Sequence, residues 1–117
     1  MTDAEQFAVA WGAAWNSHDL DRIMAHYDPA VTFRSAKAKA LVGSGELHGH
    51  AALRAYWAQA LERQPDLHFR VVDVFEGHGM TVITYLNHRG ILAAETLRFG
   101  ENGQVIEASA CHRRDMT

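Results

Sequence analysis

Apolar residues recur at a helical period in the first half of the chain and at a period of two in the second. Phe7, Trp11 and Trp15 are spaced by four, with Ala10 and Ala14 beside them, which makes one apolar stripe along a helix. Thr2-Asp3-Ala4-Glu5 ahead of it has the spacing of a capping box, with Glu5 reaching back toward the Thr2 amide. Asn16-Ser17-His18 ends this helix. Asp19 caps a short second one, on which Leu20, Ile23, Met24 and Tyr27 share a face, and Pro29 stops it. Val31-Thr32-Phe33-Arg34 is a short β-like run. Residues 35–48 show no period and read as a loop with glycines at Gly43 and Gly45. A third helix runs from about His50 to Arg63 and buries Leu53, Trp57, Ala60 and Leu61.

From Leu67 onward the chain reads as strands: Leu67 to Glu76, Met80 to His88, Ile91 to Phe99 and Gln104 to Arg113, joined by short Gly-containing turns. Helices first and strands afterwards give an α+β fold with an antiparallel meander. Tight turns at 77–79 and 89–90 would set Phe75 opposite Val82 and Glu95 opposite Thr84. The inner face then carries Phe69, Val71, Asp73, Phe75, Val82, Thr84, Leu86, Leu97 and Phe99, with Ile106, Ala108, Ala110 and His112 from the last strand. The outer face carries Arg70, Val72, Val74, Thr81, Ile83, Tyr85, Thr96, Arg98, Val105, Glu107 and Cys111. That mixture suits a face buried against its own copy, so a homodimer through the outer sheet face is expected. A register slip of one residue exchanges the two lists.

The length of 117 residues sets the expectation of one domain over 1–117. A net charge of −3 lacks the basic footprint of a nucleic-acid binder, and no apolar run approaches a membrane span. The acidic start lacks the basic and apolar stretches of a signal peptide, and the lone Cys111 allows no intrachain disulfide. A cytoplasmic globule is expected. Eight His invite a metal reading, with His48-Gly49-His50 the tightest pair, but no H-E-x-x-H or Cys cluster accompanies them. No metal and no cofactor are expected. None of this chooses between an enzyme and a binding module.

Three segments carry a resemblance. Trp11-Gly12-Ala13-Ala14-Trp15-Asn16-Ser17-His18-Asp19-Leu20-Asp21 resembles the helix, turn and "DLD" opening of the NTF2-like superfamily, in its SnoaL-like and ketosteroid-isomerase-like branches. Tyr27-Asp28-Pro29-Ala30-Val31-Thr32-Phe33 is similar to its "Y-x-P-D-V-x-F" segment, and Gly49-His50-Ala51-Ala52-Leu53-Arg54-Ala55-Tyr56-Trp57 to its "G-x-x-A-I-R-x-F-W" helix start. The resemblance implies a cone: three N-terminal helices packed in a strongly curved antiparallel sheet, with an apolar pocket and a convex face that commonly dimerises. It sets the isomerase tyrosine at Trp11, the aspartate base at Ser35 and the protonated acid at Glu95. Of these, only Glu95 keeps a carboxyl.

Glu95 lies in Leu92-Ala93-Ala94-Glu95-Thr96-Leu97, an apolar setting that would raise its pKa and make it an acid or a hydrogen-bond donor. His112 would face the same pocket as its partner. Trp15, Tyr27, Phe33, Ser35, Trp57, Phe75, Leu97 and Phe99 are the candidate lining, although aromatics at these spacings also serve as plain core. Asp73 and His88 are further candidates at the rim, and Lys37 with Lys39 reads as a solvated face or lid. Two functions follow. One is a SnoaL-like pocket protein for a small apolar molecule, which as a cofactor-free enzyme would do isomerase-, cyclase- or dehydratase-like proton transfer on an apolar carbonyl compound. The other is a non-catalytic ligand-binding or dimerisation module. An enclosed cavity with Glu95 and His112 turned inward favours the first; one filled by Trp15 and Trp57 favours the second.

Overall fold

A computed structural model describes residues 3–114. The Thr2 half of the expected capping box lies outside them, and the first helix, α1 (Ala4–Ser17), is capped by Asp3, whose side chain accepts from the Gln6 amide at 2.8 Å. Its buried stripe is Phe7, Ala8, Trp11, Gly12, Ala14 and Trp15, so Ala8 takes the place expected for Ala10. His18 closes the helix in the left-handed region at φ 59, returning its amide to the Trp15 carbonyl. The Asn16 side chain then donates to the Phe69 carbonyl at 2.9 Å and accepts from the Phe69 amide at 2.7 Å. One amide thereby ties the end of α1 to the start of the meander.

Asp19 caps α2 (Leu20–Met24) as expected. The chain is already a strand, β1 (Tyr27–Ser35), before it reaches Pro29, so the proline does not stop the helix. It sits where the pairing of β1 is irregular between Tyr27 and Thr32, a place where a residue without an amide proton costs no ladder bond. The stretch expected as a loop holds α3 (Ala36–Val42) and β2 (Glu46–His48). Ala and Lys are strong helix formers, but only Ala38 of α3 is buried, so no apolar stripe announces it. With α4 (Gly49–Arg63), which buries Leu53, Tyr56, Trp57 and Ala60, the helices number four among the described residues, not three.

The meander is β3 (Arg70–Gly77), β4 (Met80–Leu86), β5 (Leu92–Phe99) and β6 (Val105–His112). The sheet order is β2-β1-β6-β5-β4-β3, with β1 parallel to β6 and every other pair antiparallel. Phe75 does pair with Val82. The face expected for that pair is wrong, because a bulge between Val71 and Asp73 inserts one residue and reverses the parity beyond it. Phe69, Val71 and Val74 pack on the core, whereas Asp73 is exposed and Phe75 stands 58% exposed outside.

The next connection is longer than a tight turn. Asn87 closes it by accepting from the amides of Arg89 and Ile91 on its side chain. Glu95 therefore lies opposite Ile83 and not Thr84. Thr81, Ile83 and Tyr85 form the inner face of β4, and Val82, Thr84 and Leu86 the outer. A third irregularity, at Arg98 and Phe99, buries Val105 and makes Ile106 the extra residue. The outer face thus loses Val74, Thr81, Ile83, Tyr85 and Val105 from the expected list, and gains Asp73, Phe75, Val82, Thr84 and Leu86.

Candidate functional site

One cross-sheet row brings the candidate acid into place. Ser35, Ala110, Glu95, Ile83 and Val74 lie side by side across β1, β6, β5, β4 and β3. In the row toward the sheet end are Tyr85, Ala93 and His112. Glu95 and His112 are diagonal neighbours, about 7–8 Å apart in the backbone for such positions. The two share a cavity of about 60 Å³ with Trp15, Phe33, Ser35 and Trp57, and with Lys37, Tyr56, Gln64, Phe69, Tyr85 and Asn87. Its aromatic walls are fixed by edge-on packing: Trp57 meets Trp15 at 4.9 Å and Phe33 at 5.3 Å between ring centroids.

Glu95 is 3% exposed, and its Oε2 is buried with no hydrogen-bond partner. Desolvation alone pushes its pKa up to about 8, so at neutral pH it is an uncharged acid with a proton to donate. The Trp15 indole Nε1 is buried as well and is turned toward the Tyr27 hydroxyl, short of good hydrogen-bond geometry. Burial, and then the Glu95 charge, raise Tyr27 and Tyr85, which stay neutral phenols; Tyr56 is raised for the same reasons, opposed by a contact with Ser35. His112 is half-buried and shifted the other way: burial first, then Lys37, lower its pKa, so at neutral pH it is an uncharged base. The pair is therefore a neutral acid and a neutral base in one cavity, separated by environment. No hydrogen bond joins them.

Four of the expected lining residues lie elsewhere. Tyr27 is fully buried beneath the cavity, where its hydroxyl accepts from Trp11 Nε1 at 3.2 Å, and Leu97 is core. Phe75 is outside, for the parity reason above. Phe99 packs on Phe7 in an open groove of about 880 Å³ at the opposite end, between the start of α1 and the turns after β3 and β5. That groove is larger but holds no buried carboxyl. Asp73 and His88 do not line the cavity; His88 faces Asp66 at 3.6 Å. Among the described residues no three His, Cys, Asp or Glu side chains converge as a metal site requires. No described helix is long and apolar enough to cross a membrane.

Tyr85 was hidden by the parity error, and Lys37 by the missed helix. Tyr56 could have been found, since it lies three residues after Leu53 on the buried face of α4.

The curved, unclosed sheet around its helices defines an NTF2-like cone. The SnoaL-like domain matches residues 8–115, and the chain belongs to the SnoaL-like family. A SnoaL-like protein of unknown function from Burkholderia thailandensis is 37% identical, covers 97% of this chain and 99% of its own, and superposes with a TM-score of 0.91. A SnoaL-like protein from Agrobacterium tumefaciens, provisionally named an isomerase, is 14% identical over 97% of this chain and 100% of its own, with a TM-score of 0.77. TerC, crystallised with polyporic acid, is 15% identical over 95% of this chain and 92% of its own, again at 0.77. No curated protein matches the sequence.

Proposed function

We propose that the protein binds a small apolar carbonyl compound in the Glu95 cavity and moves a proton on it without a cofactor. The observation that carries this is the unpartnered Oε2 of a fully buried, neutral Glu95. Such a group is costly to keep without a ligand to donate to. Glu95 protonates or polarises the carbonyl oxygen, and neutral His112 accepts the proton released from the adjacent carbon. Ser35 holds the place of the family's aspartate base and has no proton-accepting partner, so the base here is His112. Trp15, Phe33 and Trp57 supply the apolar wall. The fold neighbours named for an isomerase and for a bound polyporic acid are compatible with a ligand cavity and fix no chemistry at their identities.

At about 60 Å³ the cavity is far below the ~300 Å³ at which ordinary ligand pockets begin, so a ring must displace something. The element held least is α3, which buries Ala38 and packs Leu41 partly on the core, against four buried side chains on α4. The test is exchange of the α-protons of a cyclic enone in heavy water, followed by NMR. Exchange above buffer that is lost in Glu95→Gln supports the reading.

The small cavity also favours the second reading, in which Trp15 and Trp57 are core and the protein is a non-catalytic module. No exchange and no binding across several enones would establish it. In either case the outer face of β4 and its neighbours, with Phe75 and Val82, is the surface for a homodimer, and a cytoplasmic location is the setting that a single free Cys111 suits.

A further inference from the structure

We propose, resting on that cavity reading, that the ligand is an apolar oxo acid whose carboxylate is held at the cavity mouth by Lys37, leaving His112 free to act as the base. Lys37, from α3, and His112, from β6, line the cavity together, and the charge of Arg89, on the β4–β5 connection, is felt at Lys37. Neither Lys37 nor Arg89 has an acidic partner among the described ion pairs. Glu46 and Glu107 face Arg34, Asp21 faces Arg54, and Asp66 is turned to His88. Lys37 and Arg89 oppose each other instead: part burial and then the Arg89 charge lower the Lys37 pKa, and Lys37 in turn lowers His112.

Like charges collected at a mouth without a counter-ion attract an anion and raise its local concentration. The interior is suited to one too. Glu95 carries no charge at neutral pH and so does not repel a carboxylate. The half-buried side chains of Asn87 and Gln64 add amide donors at the same rim. Below them the unpartnered Glu95 carboxyl awaits the polar end of a ketone, while the aromatic walls take the body between. A substrate with a carboxylate at one end and a carbonyl further in matches that order of groups from rim to floor. Lys37 is then a binding residue that orients the carbonyl toward Glu95.

The probes are naphthalene-2-carboxylate and naphthalene-2-carboxamide, equal in shape and different in charge, with binding read by tryptophan fluorescence and by NMR at pH 7. The expected result is at least a tenfold preference for the acid. It falls to about onefold in Lys37→Gln, with amide affinity unchanged, and persists in Lys39→Gln, whose exposed lysine lies outside the cavity. Added salt should weaken the acid and spare the amide. Equal binding of the two probes would overturn the anion site and leave the cavity reading standing. A preference that survives Lys37→Gln would overturn the role of Lys37. Failure of both probes to bind would overturn the cavity reading and this inference together.

Discussion

Replacing Glu95 by Gln should make the protein more stable, by an amount that depends on pH. The folded chain holds the Glu95 proton up to about pH 8, whereas the unfolded chain releases it near the ordinary value of 4.5. Stability from this group is therefore complete below pH 4.5 and is lost as pH rises to 8, at about 1.4 kcal/mol per pH unit. The loss is on the order of 5 kcal/mol across the window, of which about 3 is already felt at pH 7. The side chain is 3% exposed, so solvent screens little of it. Gln has nearly the same shape and cannot ionise, and like the neutral acid it leaves a polar oxygen unpartnered. Glu95→Gln should thus match wild type at pH 4.5 and exceed it at pH 7 by roughly 10 °C in Tm. The assay is thermal unfolding by circular dichroism from pH 4.5 to 9 on both proteins. Their difference removes the background of His26 and His112, whose own lowered pKa values tilt both curves equally. Curves that run parallel across that range would show that Glu95 ionises freely, and would take the neutral acid out of the mechanism.

Other outcomes are checked more simply. Asn16→Ala removes both hydrogen bonds to Phe69 and should cost about 2–3 kcal/mol in urea unfolding; a loss under ~0.5 would deny the tie between α1 and β3. Trp11→Phe leaves the buried Tyr27 hydroxyl without its 3.2 Å donor and should cost about 2 kcal/mol, part of which Tyr27→Phe on the same background recovers. If the outer face dimerises, Phe75→Ser with Val82→Ser should shift the light-scattering mass to the 13.0 kDa of one chain; a wild-type mass already at that value rules the dimer out.

The helix stripe, the two Asp-and-His boundaries around residue 18 and the four strands of the meander were legible because burial there follows a strict period. The misassigned sheet faces share one cause. A bulge at Val72, a five-residue connection closed by Asn87 and the irregularity at Ile106 each add residues that periodicity does not announce. Each changes the face of every residue beyond it until the next irregularity. Glu95 and His112 were placed inward in spite of this. Glu95 was recognised by its apolar neighbours, and His112 lies two residues from Ala110 on the same strand. Phe75 depended on unbroken alternation and was lost. The cationic rim was not legible because Lys37 sits on a helix too short and too exposed to leave a stripe.

The parallel contact of β1 with β6 joins residues 27–35 to 105–110, across about two-thirds of the sequence. A ribosome delivers β1 long before its inner neighbour exists. Until Val105–His112 emerges, the Val31 and Phe33 side chains and the inner hydrogen-bonding edge of β1 have only β2 and α4 for cover. Closure of the sheet must therefore wait for the last strand, and long-range pairing of this kind is slow. During that wait β1 is an apolar strand with an open edge, the form of segment that another nascent chain can pair with. The strand that ends the wait is also the one that carries His112, so the protein is exposed to misassociation until the moment its cavity is completed.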